Sequence, residues 1–528
     1  MKVNLSYPSN MIWIMPAYGN TYEQPPEAVF FLEGKHMLIM IITAAFMFGF
    51  AGLGVMYARK SRITLEDFIS ARKSVGSIGS MATVVASVLG AWILFSPAEA
   101  ATWAGLAAVV CYAIGQAAPI LAFTAVGTKL RRLMPNGHSL NEFVWYRYGK
   151  LMYATTLIIV VLYMFTFIAA ELGAISRALE FVTGVPLLFT MVLVVFSTLV
   201  YTVYGGLKVS IFTDKIQLIV IIPLLLILFL FTLNQLGGWQ ASLSNISSDS
   251  NLLSLTNQVG IEFGITLIIA ILAANLFHQG FWQRIYAAKS DADIYKGFIV
   301  GGIIVIPMII ISGFFGLWAV SEGLVTDHYS ASISLFLLAD TILPETMLIV
   351  LSILGLMLVM SSVDSLLNGI ASIFTSDLPK VFNTIDLPDL IKYTRIITVI
   401  LVIPAMFVGW AFQSVLYLFL IADLVCAAAM VPVFTGLYSK KITGINCFIS
   451  FLVGLVSGGL FFPKSDLSGW WELESLTNVW HVLASGNLLA SFTIAIVTSV
   501  VALGLLTMFT PSNEFDFDSL KEVEEITL

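Results

Sequence analysis

Thirteen long apolar runs divide this sequence, and they limit its fold more than any other feature. A helix of about 20 mostly apolar residues crosses a bilayer, where backbone groups must bond within the segment. Only 11% of the residues are charged, against about 25% in soluble domains. We therefore predict an all-α integral membrane protein in contact with the lipid bilayer, with about thirteen transmembrane helices near residues 37–57, 77–98, 101–127, 151–178, 185–204, 212–234, 260–281, 295–319, 346–373, 391–411, 414–437, 446–462 and 484–509.

The basic residues orient these predicted helices. Of the 25 Lys and Arg residues, 21 fall in loops on one side of the membrane. Two loops on the other side, 235–258 and 320–345, contain none. Because Lys and Arg accumulate in cytoplasmic loops, we expect an outside N-terminus, a cytoplasmic C-terminus and a multi-pass protein of the cell (inner) membrane.

Several function classes are excluded by what the sequence lacks. It contains no GxxxxGK[ST] phosphate loop, so ATP-driven transport is not expected. The net charge is −7 and no basic block suggests nucleic-acid binding. The three cysteines have no metal-ligand or disulfide spacing. No His-rich or Ser/His/Asp constellation gathers at one depth, so we do not expect an enzyme or an organic cofactor.

Serine side chains mark one predicted helix as a cation-site candidate. Leu358, Ser361, Ser362 and Ser365 are spaced i, i+3, i+4 and i+7, which places them on one helix face. Their hydroxyls supply oxygen ligands for a hard cation such as sodium. The alternative is that these small residues only pack helix against helix.

Three further features point to a site inside the membrane. Gly90 and Pro97 interrupt the second apolar run, which predicts either a broken helix or a simple kink. Residues 275–284 close another run with polar and aromatic side chains that could line a cavity. Ionisable groups within spans are costly and therefore functional candidates, although each could instead make a helix–helix hydrogen bond; they are Glu99, Glu171, Asp214, Asp364 and Asp423.

Four sequence blocks resemble the sodium:solute symporter family, which includes bacterial sodium/proline, sodium/galactose and sodium/sialic acid symporters. The first block contains a glycine pair followed by Thr213, Asp214 and Gln217. The second is the serine-rich stretch 361–378. The others are residues 283–289, with a Gln-Arg and an Ala-Lys pair, and residues 65–72 before the second apolar run.

The resemblance implies a LeuT-like fold of two inverted five-helix repeats with extra terminal helices. The expected division begins with an extracytoplasmic N-terminal segment (1–34) and a first helix with its cytoplasmic loop (35–75). The first repeat (76–234), an external loop (235–258) and the second repeat (259–437) follow. The terminal helices (438–510) and a cytoplasmic tail (511–528) complete the division. We expect the acidic tail to be disordered.

The resemblance also implies site residues. The expected sodium ligands are backbone carbonyls and hydroxyls of Ala86, Leu89, Leu358, Ser361 and Ser362. A second cation site is expected to involve Asp214, Asp364 and Ser365. We expect the substrate to be bound by residues from three predicted helices, namely Val88, Gly90, Ala91, Trp92, Glu171, Asn275, His278, Gln279 and Trp282.

Two positions depart from the family pattern. Val88 stands where the proline symporters carry an Asp, which weakens a proline assignment. Asp364 stands where the sialic acid symporters carry a Ser. Asp364 could raise cation affinity, accept a coupling proton or hold a cationic substrate, and it could share an ion with Asp214.

These observations predict a symporter that imports a small organic solute with sodium by alternating access. An amino acid is favoured, ahead of sugars, carboxylates and urea-like solutes. Proton coupling on the same fold is one alternative. The other is a transporter-like sensor domain that works with a partner chain. The sequence is compatible with a monomer.

Overall fold

The apolar runs fold into long α-helices in the computed structural model, which describes residues 34–61, 63–247, 251–381, 387–412, 414–464, 486–510 and 514–523. The N-terminal segment 1–34 lies almost entirely outside the described residues. The helices in chain order are α1 (Gly34–Lys60), α2 (Leu65–Ile69), α3 (Ser77–Val88), α4 (Ser96–Leu133), α5 (Leu140–Tyr148), α6 (Lys150–Thr183), α7 (Leu187–Gln235), α8 (Trp239–Ser247), α9 (Gln258–Leu276), α10 (Gln279–Ala287), α11 (Asp291–Ser321), α12 (His328–Ser332), α13 (Ser334–Ile342), α14 (Glu345–Val381), α15 (Leu387–Ala411), α16 (Val415–Phe434), α17 (Gly444–Gly459) and α18 (Leu488–Phe509).

Within those ranges, ten helical segments are long and apolar enough to cross a membrane. Three shorter apolar helices accompany them, namely Ser77–Val88, Leu187–Val203 and Gly444–Gly459. The prediction of an all-helical, multi-pass membrane protein is confirmed. The count of thirteen crossings stays a prediction, because the three short helices do not reach the length of a full span by themselves.

Two helices contain a sharp turn at a glycine. In α7 the turn lies at Gly206, with φ +56°, between the predicted spans 185–204 and 212–234. A side chain there would be strained, and its Cβ would lie 2.6 Å from the Phe68 carbonyl oxygen. In α4 the turn lies at Gly105, with φ +72°. The predicted boundary near residue 100 is therefore displaced, because the helix continues unbroken from Ser96 to the glycine.

The packing of the helices places two interruptions near the centre of the fold. The break between α3 and α4 lies against α14 and α6, and α14 also packs along α7. The second break separates α9 from α10, and α10 packs against α3, α4 and α14. Both breaks thus meet the serine-bearing helix α14, directly or through α3.

The last described segment does not match the expectation of a disordered tail. Residues 514–523 include a short 3₁₀ helix, Phe517–Glu522. The Arg147 guanidinium lies 4.5 Å from the Phe515 ring centroid, and the Asn136 side chain donates to the Val523 carbonyl at 3.2 Å. A cation–π contact and a hydrogen bond hold this segment against the helices.

Candidate functional site

The predicted interruption of the second apolar run is a break in the helix. The helix α3 ends at Val88, and Leu89 and Gly90 have extended backbone conformations. A 3₁₀ turn, Ala91–Leu94, follows before α4 begins with Pro97 in its first turn. Proline is favoured there because its missing N–H has no helical partner at that position. The break leaves backbone donors and acceptors in the middle of the protein.

Glu171 from α6 fills this break. Its Oε2 accepts a hydrogen bond from the Ala91 backbone N–H at 2.6 Å, and its Oε1 lies 3.5 Å from the Trp92 N–H. A Cβ at Gly90 would lie 2.1 Å from Oε1, so the glycine provides the space for the carboxylate. The Ser362 hydroxyl donates to Oε2 at 2.8 Å. Glu171 therefore joins three elements: the broken helix, α6 and the serine helix α14.

The other predicted sodium ligands gather beside this contact. The Ser361 hydroxyl donates to the Ala86 carbonyl at 2.8 Å and lies 3.2 Å from Asp214 Oδ1. Ser362 Oγ lies 3.2 Å from the Leu358 carbonyl, and Leu89 is in the extended segment of the break. All these groups offer oxygen, the donor type that hard cations prefer. Among the described residues, no group of three or more His, Cys, Asp or Glu suits a transition metal.

Asp214 has a partner that the sequence did not indicate. The Arg284 guanidinium of α10 lies 3.1 Å from Asp214 Oδ2, and both side chains are fully buried. The Thr83 hydroxyl also donates to Asp214, and Arg284 donates to Ser365 Oγ at 2.7 Å. The guanidinium thus lies beside two of the residues expected at a second cation site, Asp214 and Ser365, and it compensates the charge of Asp214.

Asp364 is surrounded by hydroxyl groups. It accepts hydrogen bonds from Tyr201 at 3.0 Å, Ser210 at 2.9 Å and Thr213 at 3.3 Å, all on α7. Ser365 Oγ lies 3.2 Å from the same carboxylate. Hydroxyl donors reduce the cost of burying a carboxylate. We call the buried set Glu171, Asp214, Arg284, Ser361, Ser362 and Asp364 the polar cluster.

Next to the polar cluster lies a small central cavity of about 30 Å³. This is space for roughly two or three water molecules. The walls come from the broken helix, α4, α6, α9 and α16, and the lining residues are Val88, Trp92, Tyr112, Gln116, Tyr163, Phe167, Leu267, Ile271, Asn275, Leu416, Phe419, Leu420 and Asp423. Because Val88 lies two residues from Ala86, the broken helix contributes to both the cavity and the cation-site candidate.

The predicted substrate residues divide into three groups. Val88, Trp92 and Asn275 line the central cavity. Gly90, Ala91 and Glu171 form the contact at the helix break, beside the cavity rather than in its wall.

The third group, His278, Gln279 and Trp282, stabilises the break between α9 and α10. His278 accepts from the Gly280 N–H at 3.0 Å, and Trp282 donates to the Leu276 carbonyl at 2.8 Å. Gln279 donates to the His138 carbonyl at 2.9 Å. None of these three lines the central cavity.

Sequence reasoning missed most of the cavity wall. Helical spacing of four residues was the available signal, since it repeats in Tyr112 with Gln116, Tyr163 with Phe167, and Phe419 with Asp423. Apolar and aromatic residues at that spacing occur on almost every membrane helix, so the spacing alone did not separate a cavity wall from a packed interface.

A second polar network lies outside the membrane-spanning segments, at Glu66 of α2. Burial raises the pKa of Glu66, but the hydrogen bond and charge of His138, with Ser70 and Arg72, outweigh it and lower the pKa to about 2. Burial lowers the pKa of His138, but hydrogen bonds and charges of Glu142 and Glu66 raise it above its usual range. His138 Nε2 lies 3.2 Å from Glu66, and Arg72 Nε lies 2.8 Å from it.

Comparison with known proteins identifies the family that this chain matches. The model of the sodium:solute symporter family matches residues 68–454. The spermidine transporter DUR31 of Candida albicans is 29% identical over 401 residues, which are 76% of this chain and 74% of that protein. The sodium/glucose cotransporter of Vibrio parahaemolyticus is 26% identical over 374 residues, covering 63% of this chain and 67% of that protein.

Solved structures agree on the fold. A substrate-bound, outward-open Na⁺-coupled sialic acid symporter aligns with a TM-score of 0.72, covering 90% of this chain and 99% of that chain at 17% identity. At that identity the likeness concerns the fold alone. It confirms the predicted LeuT-like architecture, whereas the exact limits of the two repeats stay a prediction.

Proposed function

Since this chain belongs to the sodium:solute symporter family, we propose that it imports a small organic solute together with sodium by alternating access. The observation that carries this proposal is the contact between the broken helix and the serine helix, where Ser361 donates to the Ala86 carbonyl at 2.8 Å. The broken helix also borders the central cavity, through Val88 and Trp92. An ion bound between them would therefore act directly on the shape of the solute site.

Sodium enters this mechanism as a transported substrate. The oxygens of Ala86, Leu89, Leu358, Ser361 and Ser362 would hold it, exchanging hydrogen bonds within the protein for bonds to the ion. Coupling requires the ion to bind one conformation more tightly than the other. An ion that bridges the broken helix and α14 meets this requirement, because rocking of one against the other separates its ligands. A second cation near Asp214, Asp364 and Ser365 stays part of the proposal.

We also propose the orientation that the basic residues predict, with the N-terminus outside and the C-terminus in the cytoplasm. The loops richest in Lys and Arg would then face the cytoplasm. Solute and sodium would enter from the opposite side, down the sodium gradient.

The names of the two relatives point away from the amino acid favoured by the sequence. One name specifies spermidine and the other glucose. The amino acid prediction therefore has no support from them. The chemistry of the central cavity bears directly on the class of solute that binds there.

The test of sodium coupling is Ser362→Ala in protein reconstituted into liposomes. Removing one hydroxyl ligand should raise the sodium concentration for half-maximal uptake about tenfold or more, in line with a hydrogen bond to a charged group. Ser450→Ala is the matched control, because Ser450 is a buried serine bonded to the Asn446 carbonyl of its own helix. An unchanged sodium dependence in Ser362→Ala protein that is folded and present in the liposomes would rule out this site.

Proton coupling is the second candidate, and the burial of Glu171 and Asp364 favours it. Buried membrane carboxylates are typical of proton relays. Uptake at fixed pH, with all sodium replaced by potassium, separates the two: uptake that persists under an imposed proton gradient assigns the coupling to protons.

A further inference from the structure

The lining of the central cavity is unusual in its charge. Five aromatic side chains and two amides line it, together with a single carboxylate, Asp423. Within the part of the chain that the structure describes, no Lys, Arg or His belongs to the lining. An anionic solute would meet an uncompensated negative charge there, so the cavity chemistry selects against anions.

Asp423 differs from the buried carboxylates of the polar cluster in having no partner. Its side chain lies on α16 and is 5% exposed. Among the described residues, no group donates a hydrogen bond to it or forms an ion pair with it. Glu171, by contrast, is bonded to Ala91 and Ser362. An ionised carboxylate without a partner is costly to bury, so a cation supplied from outside the chain would stabilise it.

The aromatic side chains around Asp423 suit an organic cation. Trp92 stacks on Tyr112 with ring centroids 5.7 Å apart, and Phe419 meets Trp92 edge-on at 6.4 Å. Phe167 packs on Phe419 at 4.8 Å. Aromatic faces attract ammonium groups and remove their water, which suits an alkylammonium ion better than hydrated sodium. The amides of Gln116 and Asn275 offer further polar contacts to a second amino group.

We propose that the transported solute is an organic amine cation, and that Asp423 binds its ammonium group within the aromatic lining of the central cavity. This rests on the proposed function, because it takes the central cavity as the solute site. Charge pairing with Asp423 would set the class of solute, and the amides would select among amines.

The test compares an amine with its neutral counterpart on the purified full-length protein. Putrescine and 1,4-butanediol have the same carbon chain and differ in the terminal groups; spermidine is a longer amine probe. In thermal-shift titrations with sodium present, spermidine or putrescine should stabilise the folded protein, since a ligand that binds only the native state raises its unfolding temperature. Butanediol should give no shift at the same concentrations.

The variant Asp423→Asn keeps the size of the side chain and removes its charge. We expect it to weaken amine binding at least about tenfold, in line with loss of a charge-assisted hydrogen bond, with the sodium-induced shift unchanged. Glu99→Gln is the matched control, because Glu99 is a buried membrane carboxylate that accepts from Ser414 at 2.9 Å and lies outside the cavity lining. If Asp423→Asn does not fold, Phe419→Leu tests the aromatic wall, and it should also weaken amine binding.

Three results would overturn the inference: no amine stabilises the protein, butanediol stabilises it equally, or Asp423→Asn binds amines as tightly as the parent. Loss of the sodium shift in Asp423→Asn, with amine binding intact, would reassign Asp423 to the inorganic cation and also overturn it. The proposed function fails separately, if amines bind and enter liposomes with no dependence on sodium.

Discussion

The polar cluster and the central cavity are neighbours, but they differ in whether their buried carboxylates have partners that compensate the charge. In the cluster, Asp214 has the guanidinium of Arg284, and Asp364 has four hydroxyl donors. In the cavity, Asp423 has no partner among the described residues. The difference separates two uses of a buried carboxylate. A compensated carboxylate holds helices in fixed positions, whereas an uncompensated one is available to a ligand.

Arg284→Met is expected to have the largest effect on stability, and it tests the difference between the polar cluster and the central cavity. The change leaves Asp214 buried without its cation, and removing one partner of a buried pair costs about 3–5 kcal/mol. We expect a large loss of folded protein from membranes and a lower unfolding temperature. Adding Asp214→Asn in the same chain should restore part of the stability, because the unpaired charge is removed.

Arg132→Met is the control for that experiment. Arg132 pairs with Asp291 at 2.8 Å, but its side chain is 63% exposed, so its loss should have little effect on stability. Equal stability of Arg284→Met and the parent protein would contradict a structural role for the buried pair, and with it the distinction between cluster and cavity.

A smaller effect is expected from Gly90→Ala, which tests whether the helix break depends on Glu171. The new Cβ would lie 2.1 Å from Glu171 Oε1, and overpacking of this kind costs about 1–3 kcal/mol. Because the carboxylate also bonds Ser362, sodium-driven uptake should fall more than stability does. Both are measured on the same reconstituted protein.

Gly52→Ala provides the reference, since a Cβ at Gly52 has nothing within 4 Å. Shortening the carboxylate in Gly90→Ala/Glu171→Asp should recover part of the uptake. A Gly90→Ala protein with normal uptake would show that the close approach has no functional consequence.

The two regions also differ in how far the sequence predicted them. The break at Gly90 and the face of Ser361 and Ser362 were predicted, because glycine and helical spacing are local signals. Arg284 as partner of Asp214 was not, since 70 residues separate them and only the folded helices bring them together. The same holds for Glu171, which is 80 residues from Ala91.

The cavity was less predictable than the cluster for a physical reason. Asp423 was a candidate from its depth in an apolar run, but a satisfied helix–helix hydrogen bond was an equal reading. Whether a carboxylate has a partner depends on side chains from other helices, and no sequence pattern reports it. The boundary predicted near residue 100 was displaced to Gly105 for a related reason, because apolar residues continue up to that turn.

The smallest predicted effect concerns Glu66 and His138, which lie outside the membrane-spanning helices and compensate each other's charge. The experiment tests whether this charge compensation depends on pH. The pKa of Glu66 falls from 4.5 to about 2, so its stabilisation is fully present above pH 4.5 and is lost as pH falls toward 2. The pKa of His138 is raised from 6.5, so its contribution is present below pH 6.5 and is lost as pH rises through the raised value. Both contributions are therefore complete between pH 4.5 and pH 6.5.

Glu66→Gln should accordingly lower the unfolding temperature most near about pH 5.5, and less at about pH 4 and above the raised pKa of His138. The expected loss is below about 1 kcal/mol, because Glu66 is partly exposed and solvent screens the pair. Lys208→Gln is the control: Lys208 pairs with Asp67 at 2.9 Å and no histidine takes part, so its effect should be the same at about pH 5.5 and pH 8.5. A Glu66→Gln effect that stays equally large above the raised pKa of His138 would mean that the charge of His138 does not stabilise Glu66, and that Ser70 and Arg72 compensate this carboxylate.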